Sequence, residues 1–240
     1  MPTYTQKEKL KGTDPARSQR KYVQSKLNPI GQALEAFSPL ELGFTLDCSE
    51  SMQGIWDVAV RGFNMLLSTQ PRTPGVDARF SSSLFNGIVK PIHTRTPLAL
   101  VEPLDPAAHR PNGATAILDA IGKMCQVIGK AYDEAEGAVK PRVLIAILTD
   151  GNENSSIHFT VDQIFREVHF RRLACNWQFL YFCANEGGVA YGLKLGIQKT
   201  NIKTFDADPA GIAILMGRVA AAMSAYALGD RNFQRFLLPG

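Results

Sequence analysis

Cysteine is scarce in this sequence. There are four in 240 residues (Cys48, Cys125, Cys175 and Cys183), and none forms a CxxC pair. This excludes a small scaffold held by disulfides. Cys125, Cys175 and Cys183 stand in apolar surroundings and read as buried thiols. The four histidines, His93, His109, His158 and His169, have no metal-ligand spacing. No uninterrupted run of 18 or more apolar residues occurs, so the sequence predicts no membrane-spanning segment. The first residues, Met1 to Lys7, are polar and lack a secretory apolar stretch, which sets the expectation of a cytoplasmic protein. There is no phosphate-binding glycine loop and no GxSxG nucleophile elbow. Internal repeats and low-complexity tracts are also missing.

Net charge is confined to one segment. Residues 1–38 carry seven basic and three acidic side chains, and the rest of the chain carries 19 of each, so the net +4 belongs to the N-terminal segment. The segment lacks sustained apolar periodicity and reads as a polar basic arm, followed by one domain over 39–240. It also lacks regular aromatic interleaving, so nucleic acid is not the expected partner. A docking or solubilising arm is the favoured reading.

Apolar residues make up 45% of the chain, enough for a sizeable core. Leu42–Leu46 is a short apolar run, read as a buried strand, and 53–68 has helical spacing. Residues 77–85 and 88–93 read as two strands joined by Asn86-Gly87, a type I′ hairpin signal. A proline-rich stretch covers 97–111, and a helix is expected over about 116–132. Val143–Leu148 is continuously apolar, as a central parallel strand covered on both faces would be. A helix at about 160–173 and a strand at 177–183 follow. A glycine turn at 187–188 then leads to a short helix ending near Gly196, an edge strand at 201–205 and a last helix at about 208–228. Strands alternating with helices predict an α/β, doubly wound, Rossmann-like fold. Its sheet is mostly parallel with one antiparallel hairpin strand, and helices lie on both faces.

Three segments follow strands or open a helix: Asp47-Cys48-Ser49-Glu50-Ser51, Asn112-Gly113-Ala114-Thr115-Ala116 and Thr149-Asp150-Gly151. In an open α/β sheet such segments meet at the carboxyl edge of the strands, where ligands bind. Together they offer two carboxylates and three hydroxyls, all hard oxygen donors. That chemistry selects Mg2+, with Mn2+ or Ca2+ as alternatives, over zinc. The i, i+2, i+4 spacing of Asp47, Ser49 and Ser51 lets one loop aim three oxygens at one centre.

This set resembles the metal-ion-dependent adhesion site of von Willebrand factor A (vWA) domains: DxSxS, then a distant Thr, then a distant Asp in T-D-G. Asp47, Ser49, Ser51, Thr115 and Asp150 supply it in order, over roughly 40–228. The nearer likeness is to bacterial and phage-type members, through Ser51-Met52, Asp119 after the Thr turn and T-D-G-x-E-N at 149–154. The resemblance implies a divalent cation, direct ligation by the two serines, and a protein partner that gives a Glu or Asp to the open position. It also implies an AAA+ ATPase or another operon-encoded protein as a partner class. Glu50 departs from the pattern, since many members have Gly there.

Around this centre Glu50, Asn152, Glu153 and Asn185 are candidates for a partner-binding rim. For Asn185–Gly188, a turn needing glycine freedom is the favoured alternative. Asp119 reads as a structural acid at a helix N-terminus. Two other functions stand beside the binding module: a subunit of a larger assembly joined through the arm and the apolar 233–238 end, and, less favoured, a metal-assisted hydrolase. The latter lacks the second Asp that a phosphatase of the haloacid dehalogenase type would have, because Ser49 stands there.

Overall fold

The computed structural model describes residues 38–135 and 139–238, so the arm expected over 1–38 lies outside the described residues except for Ser38. Six strands and five α-helices follow in order: β1 (Leu40–Asp47), α1 (Trp56–Thr69), β2 (Ala78–Phe85), β3 (Val89–Pro97), α2 (Ile117–Glu134), β4 (Arg142–Leu148), α3 (Val161–Cys175), β5 (Gln178–Cys183), α4 (Glu186–Lys194), β6 (Ile202–Thr204) and α5 (Pro209–Ala227). The sheet order is β3-β2-β1-β4-β5-β6. Every neighbouring pair is parallel except β2 and β3. The doubly wound arrangement read from the sequence is therefore the observed one.

Strand periodicity explains how both faces are covered. Successive side chains of a strand point to opposite faces. On β4, Leu144, Ala146 and Leu148 join a core with Leu42, Phe44 and Leu46 of β1 and with the apolar sides of α1 and α5. Val143, Ile145 and Ile147 join a second core with α2, Ile164 and Val168 of α3, and Phe179 and Tyr181 of β5. The continuous apolar run of β4 thus serves two cores. α5 is long and apolar enough, by length and composition, to cross a membrane. Here Ile212, Met216, Val219 and Met223 are fully buried in the first core. Close approach decides some small residues: a Cβ on Gly62 of α1 would lie 2.6 Å from Met216 of α5.

Several local expectations need correction. The hairpin is present, but Asn86 and Gly87 are not in the positive-φ conformation that a type I′ turn requires. The connection has three residues. Asn86 accepts the Ile88 N–H on its side-chain oxygen at 3.0 Å and donates its own N–H to the Ile88 carbonyl at 3.0 Å. β3 runs on to Pro97, well past residue 93. Its prolines are tolerated because β3 is an edge strand with a free side. The glycines at 187 and 188 lie inside α4 rather than in a turn. Gly188 is needed for closeness, since a Cβ there would meet Cys183 at 2.5 Å. Cys175 is only partly buried, unlike Cys125 and Cys183. Beyond α5 the apolar end folds back: Phe233 and Leu237 are buried in the first core, and Phe233 meets the Tyr226 ring edge-on.

β1 lies between β2 and β4, so the chain leaves β1 toward one side of the sheet and returns to the other. That reversal is the topological switch point, where the loops after β1 and β4 diverge and leave a crevice.

Candidate metal centre

Asp47 is the last residue of β1, and Thr149 and Asp150 come directly after β4, so both segments open into that crevice. The Asp47 carboxylate is fully buried. Its Oδ1 accepts the Ser49 N–H at 2.7 Å, and its Oδ2 accepts the Thr149 hydroxyl at 2.6 Å. Ser49 Oγ lies 3.2 Å from Ser51 Oγ, and the Ser51 hydroxyl donates to Asp150 Oδ1 at 2.6 Å. Gly151 closes the third side. A Cβ built there would lie 3.1 Å from Thr115 Oγ1 and 3.7 Å from Ser51 Oγ. A side chain at 151 would wedge between the hydroxyls, which is why glycine stands there. The structure thus brings Asp47, Ser49, Ser51, Thr115 and Asp150 into one place.

Backbone hydrogen bonds fix the three segments to one another. Cys48 N–H donates to the Phe85 carbonyl at 2.6 Å, and the Cys48 carbonyl accepts from Asn112 at 3.0 Å. Glu50 N–H reaches the Gly113 carbonyl at 3.2 Å, and Ala116 N–H reaches that of Asn86 at 2.7 Å. Gly113 takes φ +72°, a left-handed conformation that suits glycine and turns the loop back toward α2. Thr115 is clamped by Asn154, whose Oδ1 accepts the Thr115 N–H at 2.8 Å and whose N–H donates to the Thr115 carbonyl at 3.0 Å.

The rim candidates divide. Glu50 and Asn152 are exposed. Glu153 turns inward instead, and its carboxylate accepts the backbone N–H groups of Leu118, Ser155 and Ser156 at 3.1, 3.0 and 2.8 Å. It thereby caps α2, whose own N-cap, Ala116, offers no side-chain acceptor. Asn185 caps α4 by accepting the Gly188 N–H at 2.9 Å. Asp119 is buried and accepts three backbone N–H groups, from Ile157, His158 and Phe159, at 3.2, 3.0 and 3.0 Å. It is structural: it stands in the first turn of α2, as expected, and it also anchors the loop after Asp150. Three residues escape a reading of the sequence: Thr149 as the group orienting Asp47, Asn154 as the clamp on Thr115, and Glu153 as a cap. Their partners lie 35 to 102 residues away in sequence, so no local pattern announces them. T-D-G-x-E-N is visible there only as a block.

The electrostatics are one-sided. Burial pushes Asp47 up to about 6, against the hydrogen bonds from Thr149 and Ser49, and the nearby Asp150 charge adds to the rise. Burial also raises Asp150, opposed by the Ser51 hydrogen bond. Among the described residues neither carboxylate has an ion-pair partner. Two desolvated carboxylates without a counter-charge are costly to keep ionised, and a cation between them reverses the effect. Cys48 is held as a thiol: burial first, then Asp47, push it up to about 11.

The donor set fits a small hard cation. Neighbouring ligands of octahedral Mg2+ at about 2.1 Å lie about 3 Å apart. The Ser49–Ser51 separation of 3.2 Å is close to that spacing. Among the described residues no group of three or more His, Cys, Asp or Glu side chains is placed to hold a metal, so a cation here would rely on the hydroxyl oxygens beside the two carboxylates.

No protein-family model and no curated protein matches the sequence. Solved structures do. The chain is similar to proximal thread matrix protein 1 of the mussel byssus, at 16% identity and TM-score 0.55, over 77% of this chain and 47% of that one. It is similar to a von Willebrand factor type A protein of Catenulispora acidiphila, at 17% and 0.53, over 78% and 43%. It is also similar to the von Willebrand factor domain of the type V pili tip protein Mfa5 of Porphyromonas gingivalis, at 11% and 0.54, over 79% and 96%. The chain spans less than half the length of the mussel and Catenulispora chains. At these identities the likeness is one of fold, and the fold is that of a von Willebrand factor A domain.

Proposed function

We propose that this chain is a cation-dependent protein-binding module. Asp47, Ser49, Ser51, Thr115 and Asp150 would hold one Mg2+, and a partner's Asp or Glu side chain would complete its coordination. The observation that carries this reading is the convergence of three hydroxyls and two uncompensated carboxylates at the switch point of the sheet. Held there, the cation would supply a positive centre for an anionic oxygen from outside. The chain's own residues do the rest. Thr149 holds Asp47 in one orientation, Asn154 holds the Thr115 backbone, and Gly151 keeps the space between the hydroxyls clear. Ser51 is exposed while Ser49 and Thr115 are buried, so the centre opens outward on the Ser51 side. The vWA fold, found also in a pilus tip protein, is consistent with an interaction role.

The test is a calorimetric titration of Mg2+ and Mn2+ into the chelator-treated protein, with Asp150→Ala alongside. One-site binding that the variant lacks supports the reading. A flat titration of the native chain, or equal binding by the variant, rules the site out.

A further inference from the structure

Beside this centre lies a second hollow, of about 210 Å³, that the metal site does not use. It borders the first because Cys48, between Asp47 and Ser49, forms part of its wall. Lys90, His109 and Arg110 line it together with Phe85 and Ile88, and no acidic side chain does. Lys90 and Arg110 are exposed, and among the described residues Lys90 forms no ion pair with a carboxylate. The Lys90 ammonium faces His109 Nδ1 at 3.4 Å. Burial, then Lys90, lower the His109 pKa, so the imidazole stays neutral and adds no positive charge. Among the described residues Arg110 pairs with Asp57, at 4.0 Å across a surface where both side chains are more than 60% exposed, a pair of little strength. Ile88 stands at the hairpin tip, 74% exposed. The wall is tied to the metal loop by the Asn112 N–H to the Cys48 carbonyl and the Cys48 N–H to the Phe85 carbonyl.

We infer that this hollow seats a second acidic residue of the same partner segment whose first carboxylate meets the cation. The inference rests on the metal-site reading above. One lysine and one arginine charge, without a firm partner among the described residues and around an apolar floor, match an acidic peptide with an apolar neighbour against Ile88. They also offset the exposed Glu50, which would otherwise repel such a segment from the metal loop. In an extended peptide every second side chain points the same way, about 7 Å apart. One strand-like segment would bring one carboxylate to the cation and the next on the same side to the hollow.

The test uses a fluorescent octapeptide of alternating Glu and Ala, and a control in which all but one Glu are Gln. Anisotropy is followed with Mg2+ and with EDTA, for the native chain and for the double variant Lys90→Gln, Arg110→Gln. Both substitutions are on exposed side chains, so the fold and the Mg2+ titration should be unchanged. The native chain is expected to prefer the multi-Glu peptide in Mg2+. The double variant is expected to bind that peptide about tenfold more weakly and to treat the single-Glu control as the native chain does. Equal binding of the multi-Glu peptide by native and variant chains overturns the inference. So does absence of Mg2+-dependent peptide binding in a native chain that still takes up Mg2+, and there the metal site survives. A flat Mg2+ titration removes the metal site and this inference together.

Discussion

Buried carboxylates occur at two ends of this sheet and are treated differently. Toward the N-terminal end of β1, Glu41 is 2% exposed, and Arg95 donates to its Oε1 through Nε at 3.0 Å and through Nη2 at 2.7 Å. Burial raises the Glu41 pKa and the Arg95 guanidinium opposes the rise. Arg95 itself has φ +46°, a conformation uncommon for a non-glycine residue. At the C-terminal end, Asp47 and Asp150 have hydroxyls and backbone N–H groups but no cationic side chain. The chain supplies a counter-charge to the Glu41 carboxylate, while Asp119, off the sheet, is satisfied by three backbone N–H groups. The chain leaves the charge open where the sheet offers a crevice. That difference makes the C-terminal edge of the sheet, and not the Glu41 pair, the candidate for a cation site.

The largest effect that would break this comparison is on the metal. Ser49→Ala or Asp150→Ala should weaken Mg2+ binding by about 100-fold or more, since each removes a donor oxygen rather than a support. Calorimetry decides it, and a loss below about tenfold would remove that residue from the donor set. Next comes the opposite end. Arg95→Ala leaves Glu41 buried and unpaired, and should cost about 2 to 3 kcal/mol in chemical denaturation, toward the low side for a buried pair because Arg95 itself is part-exposed. Mg2+ affinity should not change. A stability loss no larger than that of an ordinary surface substitution would mean that Glu41 does not need its partner.

Thr149→Val should weaken Mg2+ by about 10- to 100-fold without removing any donor, by freeing Asp47 to turn. A smaller loss would show that the Ser49 N–H suffices to orient Asp47. The smallest effect is expected at Asp133, 58% exposed and paired with Arg171 at 2.6 Å. Arg171 lowers the Asp133 pKa, so the stability from this pair is present above the ordinary carboxylate value, and is lost as pH falls through the lower folded value. Asp133→Asn should cost under about 1 kcal/mol at neutral pH. An equal cost at pH values below the carboxylate range would show that the pair is not ionic.

Much of this is legible in the sequence, for physical reasons. The continuous apolar run of β4 marks a strand covered on both faces, and the oxygen donors after β1 and β4 follow strand ends. The true turn at Asn86-Gly87 is not legible, because Asn can satisfy a turn with its side-chain oxygen instead of a positive φ. The same residue then gives its carbonyl to Ala116, a tertiary use that no dipeptide preference encodes. Glu153 and Asn185 resemble rim residues because both follow strand ends in polar loops. In the folded chain Glu153 caps α2 through a contact 35 residues away, which no local pattern shows, while Asn185 caps its own helix α4 three residues on. Asp119 stands in the first turn of α2, as its position suggests, but its anchoring of the loop after Asp150 is not legible, since the three N–H donors lie 38 to 40 residues away.

The contrast between open and paired carboxylates is tested most directly by thermal unfolding of the native chain and of Asp150→Asn, each in EDTA and in excess Mg2+. The account predicts that Mg2+ raises the melting temperature of the native chain and leaves the variant unmoved, and that in EDTA the variant melts no lower than the native chain. A variant that melts clearly lower in EDTA, with a native chain indifferent to Mg2+, would show that Asp150 is a structural acceptor for Ser51 and that the centre is closed.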